Sequence, residues 1–335
     1  MLNTEHKENE NSSRASAQVE RAQRLVIQIK EEIAKSVVGQ KTVIHNLLLC
    51  LIAGGHVLLD GVPGLAKTLI IRSISQIFGA SFKRIQFTPD LLPADLIGTM
   101  VYRQQTGEFL PRKGPIFTNV VLADEINRAP AKVQSAMLEA MEERQVTIGD
   151  FSYPLPDPFF VMATQNPIEQ EGTYPLPEAE LDRFMMKLLV HYPTESEELA
   201  ILYRMSGDEV AELQKIVDKK EILSLQHLLA QITLDERIAQ YIVSLIIMTR
   251  PSPENMTTFA RFVEFGASPR ATIALARGAR AQAMMKGRTY VLPEDVKEIA
   301  KHVLRHRIVL SYEAEAEQLS ADEILDKIIT SVAVP

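Results

Sequence analysis

A single cysteine in 335 residues removes any intrachain disulfide from consideration. Cys50 sits within Leu49-Cys50-Leu51-Ile52 and reads as a small buried residue rather than a catalytic thiol. No apolar run approaches the roughly 20 residues that a membrane span needs, so insertion into a membrane is not expected. The opening residues, MLNTEHKENENSSR, lack the apolar core of a signal peptide. Together with the cysteine count, this leads to the expectation of a reducing, cytoplasmic location. A positive excess is missing as well. Lys and Arg number 36 against 43 Asp and Glu, a net charge of −7, which argues against a dedicated nucleic-acid binder. No internal repeat or biased tract is present, and 46% hydrophobic with 24% charged residues is ordinary for a globular chain. The length suits two domains with a well-buried core.

What is present is more specific. Gly61-Val62-Pro63-Gly64-Leu65-Ala66-Lys67-Thr68 follows the apolar run Val57-Leu58-Leu59 and precedes the helix-like Leu69-Ile70-Ile71. Strand, tight glycine turn and helix start form the context of a phosphate-binding loop. Gly61 and Gly64 are expected to take backbone angles closed to other residues, turning amides inward on a polyphosphate. The helix dipole adds to that attraction. Lys67 is expected to reach the β- and γ-phosphates and Thr68 to ligate Mg²⁺. Ala66 stands where the pattern calls for glycine, which leaves a loop that only resembles the motif as the alternative to a phosphate-binding one.

The rest of the chain alternates strand and helix signals, as a parallel α/β sheet does. Strands are expected at residues 56–60, 83–87, 119–123, 159–164 and 184–189, with helices at 19–35, through Ile44, Leu47, Leu48 and Leu51, and at 132–144. After Pro193 helical patterns dominate, over 195–204, 223–231, 235–249, 269–286 and 293–304. The expected organisation is a disordered tail at 1–16, an α/β nucleotide-binding domain at 17–193 and a helical domain at 194–335.

The strand Asn119-Val120-Val121-Leu122-Ala123 ends in Asp124-Glu125. Ligands of parallel sheets sit at the carboxyl ends of the strands, where both acids emerge. Asp124 is expected to hold Mg²⁺, directly or through water. Glu125 is expected to deprotonate a water for in-line attack on the γ-phosphorus. An acidic turn is common alone, but joined to a glycine loop it points to an NTPase. Asn166 follows the next apolar strand. Its amide suits a γ-phosphate or attacking-water contact, the alternative being an Asn-Pro turn.

Glycine loop, strand-terminal Asp-Glu and post-strand Asn ahead of a helical lid resemble the AAA+ superfamily. The strings GGHVLLDGVPGLAKT, ADEINRAP, ATQNP, EAELDRF and SPRA resemble its MoxR family, over residues 20 to 320. Members of that family commonly carry alanine at the position of Ala66. The resemblance implies a P-loop NTPase αβα core with a parallel sheet and an all-α lid, binding ATP and Mg²⁺. It places Gly61 to Thr68 with Leu69 in Walker A, Asp124 and Glu125 in Walker B, and Asn166 at sensor 1. It makes Arg183 an arginine finger for a neighbouring subunit, Arg270 a sensor 2 on the lid, and Val38, Gly39 and Gln40 an adenine-cradling turn. Arginine suits transition-state phosphate, although surface ion pairs remain the plainer reading of either residue. Arg128 is a further candidate for a subunit interface.

The implied protein is a Mg²⁺-dependent ATPase assembling into a homo-oligomeric ring of six. It would remodel or mature protein complexes, with a von Willebrand A domain protein as client or adaptor. A ring-helicase-type nucleic-acid motor, a metal-chelatase motor subunit and a non-hydrolysing scaffold are the alternatives. Hairpins are expected at residues 99–116, turning at Gln105-Thr106-Gly107-Glu108, and at 146–158, turning at Gly149-Asp150. The resemblance makes them pore-facing inserts, with Phe109 and Tyr153 near the tips; ordinary surface hairpins are the alternative. His56 and His191 read as structural, Met185-Met186 and Met284-Met285 as core filler. The cluster Lys301, His302, Arg305, His306 and Arg307 reads as a solvated or intersubunit face.

Overall fold

The computed structural model describes residues 2–62, 64–166, 173–205, 212–251 and 259–335. The chain opens with α1 (Leu2–Ser36) and α2 (Lys41–Ile52). Helix α1 begins well before residue 19 and takes in the segment expected to be a disordered tail. No Pro or Gly interrupts it, and its Glu, Lys, Gln, Arg and Ala are good helix formers.

Next come β1 (Val57–Asp60), α3 (Lys67–Ile77), β2 (Phe82–Gln86), α4 (Pro93–Ile97), β3 (Gly98–Arg103) and β4 (Glu108–Lys113). They are followed by β5 (Val120–Asp124), α5 (Ala131–Glu143), β6 (Gln145–Ile148), β7 (Phe151–Pro154), β8 (Phe160–Gln165), α6 (Glu178–Leu181) and β9 (Met186–Leu189). Five strands form one parallel sheet in the order β2-β5-β8-β1-β9. Successive residues of its central strands enter different apolar clusters. Val57 and Leu59 pack on one face with Val120 and Leu122, while Leu58 packs on the other with Val121 and Ala123. A sheet covered on both faces explains why these strands read as continuous apolar runs rather than alternating ones.

The described elements after β9 are mostly helices: α7 (Glu195–Met205), α8 (Lys219–Leu228), α9 (Glu236–Met248), α10 (Pro269–Met285), α11 (Pro293–Leu304), α12 (Tyr312–Ala316) and α13 (Ala321–Ser331). A short antiparallel pair, β10 (Val263–Phe265) with β11 (Val309–Leu310), lies among them. At two or three residues each, these strands are too short to leave a period-2 signal. One apolar cluster runs from Leu47, Leu49 and Met186 into Leu275, Ile299 and Val303. Gly278, inside α10, allows close approach there. A Cβ on it would sit 2.7 Å from Ile299 Cδ1 and 3.2 Å from Met185 Cε.

Both expected hairpins form, β3 with β4 and β6 with β7. Phe109 is 64% exposed and pairs with Tyr102, ring centroids 5.2 Å apart. Tyr153 is not at a tip. It lies opposite Val146, with the Lys113 ammonium 5.3 Å from its ring. Phe151, beside the Gly149-Asp150 turn and 63% exposed, occupies the tip instead. Among the described residues, no helix is long and apolar enough to cross a membrane.

Candidate active site

The loop after β1 closes on itself: Lys67 donates from Nζ to the Gly61 carbonyl. Gly64 has φ +87°, in the left-handed region that favours glycine, and open space where a Cβ would stand. Gly61 does not share that reason. A Cβ there would lie 2.9 Å from both the Val190 carbonyl oxygen and Val190 Cβ, so Gly61 is required by close packing on the strand next door. Ala66 itself is left-handed, φ 56° and ψ 16°, and its carbonyl accepts from the Ile70 amide to start α3. A methyl side chain is thus held in the conformation where the motif's glycine would be strain-free, at a cost of about 1–2 kcal/mol. Leu65 is buried, Val62 and Leu69 pack partly against the core, and Thr68 is exposed at the helix start. Pro63 lies outside the described residues.

The carboxyl ends of β5 and β8 face this loop. Asp124 is the last residue of β5. Its Oδ2 accepts from Arg84 Nε at 2.9 Å and Nη2 at 2.6 Å, and its Oδ1 accepts from Thr164 Oγ1 at 2.7 Å. A carboxylate offers about four acceptor positions, so one remains. Glu125 adopts left-handed angles, φ 56° and ψ 50°, and its amide donates to Thr164 Oγ1 at 2.9 Å. Its Oε2 accepts from Gln86 Nε2 at 2.8 Å and lies 3.1 Å from Arg128 Nε. Arg128 therefore serves its own chain's acidic pair rather than only an outer surface. Strained left-handed angles at a non-glycine residue persist only where surroundings over-determine them, and here strand pairing and the Thr164 hydroxyl do so.

Lys67, Thr68, Arg84, Asp124, Glu125 and Asn166 line one cavity of about 420 Å³. That volume suits a nucleotide's polyphosphate. Burial pushes the Lys67 ammonium down from its ordinary value, while the charges of Asp124, Asp60 and Glu125 push it up. The hydroxyl of Thr68 and the carboxylate of Asp124 are hard oxygen donors, the chemistry Mg²⁺ takes, and both face the same space. Among the described residues, no cluster of three His, Cys, Asp or Glu offers a protein-only metal site. Gly39 and Gln40 form a left-handed pair after Val38, with φ 68° and 51°. Gln40 donates from Nε2 to the His191 carbonyl at 2.9 Å. This tethers the turn to the end of β9, beside the phosphate loop.

Arg183 and Arg270 are elsewhere. They line a second cavity with Gly54, His56, Glu142 and Met185. Gly54 to His56 precede β1 and Met185 precedes β9, so this cavity opens at the amino ends of the strands. The four residues of β1, about 13 Å of chain, separate it from the phosphate loop. Glu142, near the end of α5, joins the two arginines. Its Oε1 accepts from Arg270 Nη2, and its Oε2 lies 3.1 Å from Arg183 Nε in an ion pair without hydrogen-bond geometry.

Sequence reasoning missed Thr164, Arg84, Gln86 and Glu142. A polar Thr in the apolar run Phe160–Gln165 was the one available signal for Thr164. His56 is structural. Its Nδ1 accepts from the Val161 amide and its Nε2 faces the Met141 carbonyl, while burial lowers its pKa to about 4. Met185, Met186, Met284, Met285 and Cys50 are all buried. The basic cluster is neither a solvated nor an intersubunit face throughout. Arg305 pairs with Asp322 at 2.8 Å, Lys301 with Asp326 at 2.9 Å and the buried Arg307 with Asp182 at 2.7 Å.

Residues 56–186 match the model of the ATPase family associated with various cellular activities (AAA), and residues 256–328 match an AAA lid domain. The chain is 46% identical over 321 residues to Chaperone MoxR1 of Mycobacterium tuberculosis, covering 96% of this chain and 84% of that one. It is 32% identical to Protein MoxR of Methylorubrum extorquens, covering 88% and 91%. A crystal structure from Cytophaga hutchinsonii, provisionally described as an ATPase, superimposes with a TM-score of 0.90 at 48% identity. The overlap covers 98% of this chain and 99% of that one.

Proposed function

This chain belongs to the MoxR family of AAA+ ATPases, and from that premise we propose that it hydrolyses ATP with Mg²⁺ at sites shared between the subunits of a ring. Lys67 and the backbone N–H groups of the loop from Gly61 to Thr68, Pro63 having none, bind the phosphates at the start of α3. Thr68 and Asp124 hold Mg²⁺, which when bound neutralises charge on the β- and γ-phosphate oxygens. Glu125 takes the proton of the attacking water, its carboxylate aimed by Gln86 and Arg128. Asn166 holds that water or the γ-phosphate. The turn at Val38, Gly39 and Gln40 cradles the adenine.

The observation that carries the shared-site reading is the separation of the two halves. Lys67, Asp124, Glu125 and Asn166 meet at the carboxyl ends of the strands, whereas Arg183 and Arg270 meet at the amino ends. Neither arginine reaches its own chain's phosphate loop, so both act on the nucleotide of a neighbour. Glu142 holds them meanwhile. A guanidinium pair then stabilises the charge spread over the γ-oxygens in the transition state. Closed cyclic symmetry repeats the contact around a ring, for which the family suggests six copies. Hydrolysis is coupled to remodelling a protein complex, with a von Willebrand A domain protein as partner. The hairpin tips carrying Phe109 and Phe151 face the pore, and the site of action is the cytoplasm.

Mixing Arg183→Ala subunits with Glu125→Gln subunits tests this. Each homogeneous ring should be nearly inactive, and mixed rings should recover hydrolysis. Demonstrably mixed rings that stay inactive would remove the trans role.

A further inference from the structure

Asp182 immediately precedes Arg183, between α6 and β9, yet its side chain is bound by residues more than eighty positions later. Its Oδ1 accepts from Arg307 Nε at 2.7 Å, and its Oδ2 accepts from Ser268 Oγ at 2.7 Å. Ser268 is the N-cap of α10, and the same hydroxyl accepts from the Arg270 amide at 3.1 Å. The carboxylate of the residue beside Arg183 therefore touches the cap that begins the helix carrying Arg270.

Arg307 makes the link rigid. Its side chain is 3% exposed. Its Nη2 donates to the carbonyls of Asp182 at 2.9 Å and Phe184 at 2.6 Å, and its Nη1 donates to those of Met185, at 3.1 Å, and Val303. Three of these four carbonyls belong to the loop that bears Arg183. Besides this guanidinium the loop keeps local turns, such as the Arg183 amide on the Glu180 carbonyl at 3.2 Å, and two anchors on its far side, the Met185 amide on the His56 carbonyl at 2.8 Å and His306 Nε2 on the Phe184 carbonyl at 3.0 Å, but neither of these touches Asp182. Among the described residues, the Arg183 side chain itself has only the Glu142 ion pair, shared with Arg270.

We infer that Asp182, through Arg307 and Ser268, is a positioning residue that locks Arg183 and Arg270 into one two-pronged unit for the neighbouring subunit's γ-phosphate. The inference rests on the trans role proposed above and adds what sets the spacing of the two prongs. Two guanidiniums can share one phosphoryl group only if their separation is held to within about 0.5 Å. Ion-pairing both to Glu142 does not supply that, since the Arg270 contact is exposed and the Arg183 contact lacks hydrogen-bond geometry.

Asp182→Asn is the direct test, being isosteric and leaving all four carbonyl acceptors of Arg307 in place. Rings of this variant should bind ATP within twofold of wild type and lose at least tenfold in kcat with KM little changed. Mixed with Glu125→Gln subunits, they should recover hydrolysis as fully as Arg183→Ala subunits do. Near wild-type kcat in Asp182→Asn rings would overturn the inference, as would failure to recover where the Arg183→Ala mixture recovers. If neither mixture recovers, the trans role itself falls and takes this inference with it. Ser268→Ala, measured alongside, removes the link to α10 together with the cap bond from the Arg270 amide and leaves the buried ion pair intact. It should lower kcat several-fold at unchanged KM, and wild-type kinetics there would likewise overturn the inference even if Asp182→Asn fails to fold.

Discussion

Replacing Thr164 by Val should do more damage than any other single-atom change near the acidic pair. Thr164 is 1% exposed, and its hydroxyl both donates to Asp124 Oδ1 at 2.7 Å and accepts from the Glu125 amide at 2.9 Å. Valine keeps the shape and removes both bonds. Losing a hydrogen bond to a charged carboxylate costs about 1.5–3 kcal/mol, and stranding a buried amide costs about 1–3 kcal/mol. A loss of about 2.5–6 kcal/mol in folding stability is expected from the two together, measurable by denaturant titration. Activity should suffer further, because the hydroxyl helps hold Glu125 in left-handed angles that it would otherwise leave. A displacement of the base by about 1 Å lowers the rate about 100-fold. Phosphate release by Thr164→Val should therefore fall about 100-fold while Thr164→Ser, which keeps the hydroxyl, stays within a few-fold of wild type. If Thr164→Val folds with wild-type stability and turns over normally, the hydroxyl does not hold the acidic pair, and the reasoning is wrong.

Two further outcomes can be checked directly. Gly61→Ala places a Cβ against the Val190 backbone carbonyl at 2.9 Å, a contact no side-chain rotation relieves, so equilibrium ATP binding should weaken at least tenfold; unchanged affinity would refute the packing role. Stability should also fall with acidification. His56 is neutral in the fold, with a pKa lowered by burial to about 4 from its ordinary 6.5, and burial lowers His302 and His306 in the same direction. The unfolded chain takes protons first, so the contribution is complete above pH 6.5 and is lost as pH falls toward 4. His56 alone should remove about 2 kcal/mol by pH 5. A flat denaturation profile between pH 7 and 5 would contradict the buried neutral assignment.

What could be read from the chain was whatever is local along it. The glycine loop, the Asp-Glu at a strand end and the post-strand Asn each sit in a continuous string, and apolar runs marked the central strands β1, β5 and β8. Residues whose importance comes from strand pairing were not legible. Arg84 meets Asp124 only because β2 lies beside β5, and Thr164 meets it only because β8 lies on the other side. Glu142 looked like any helix-surface acid until the fold set it between Arg183 and Arg270. Gly61 was credited with unusual backbone angles, but its true constraint is Val190, 129 residues later along the chain. The basic cluster near residue 305 misled for the same reason, since Asp182, Asp322 and Asp326 are invisible as partners until the chain is folded. Composition is symmetric in sequence, whereas burial and pairing are not.

The claim that Lys67, Asp124 and Glu125 form a hydrolytic ATP site is tested most directly by comparing binding with turnover in Glu125→Gln. The account predicts ATP affinity within a few-fold of wild type and phosphate release reduced at least 100-fold, with Lys67→Ala losing the binding itself. Normal phosphate release from Glu125→Gln, or tight ATP binding by Lys67→Ala, would contradict it.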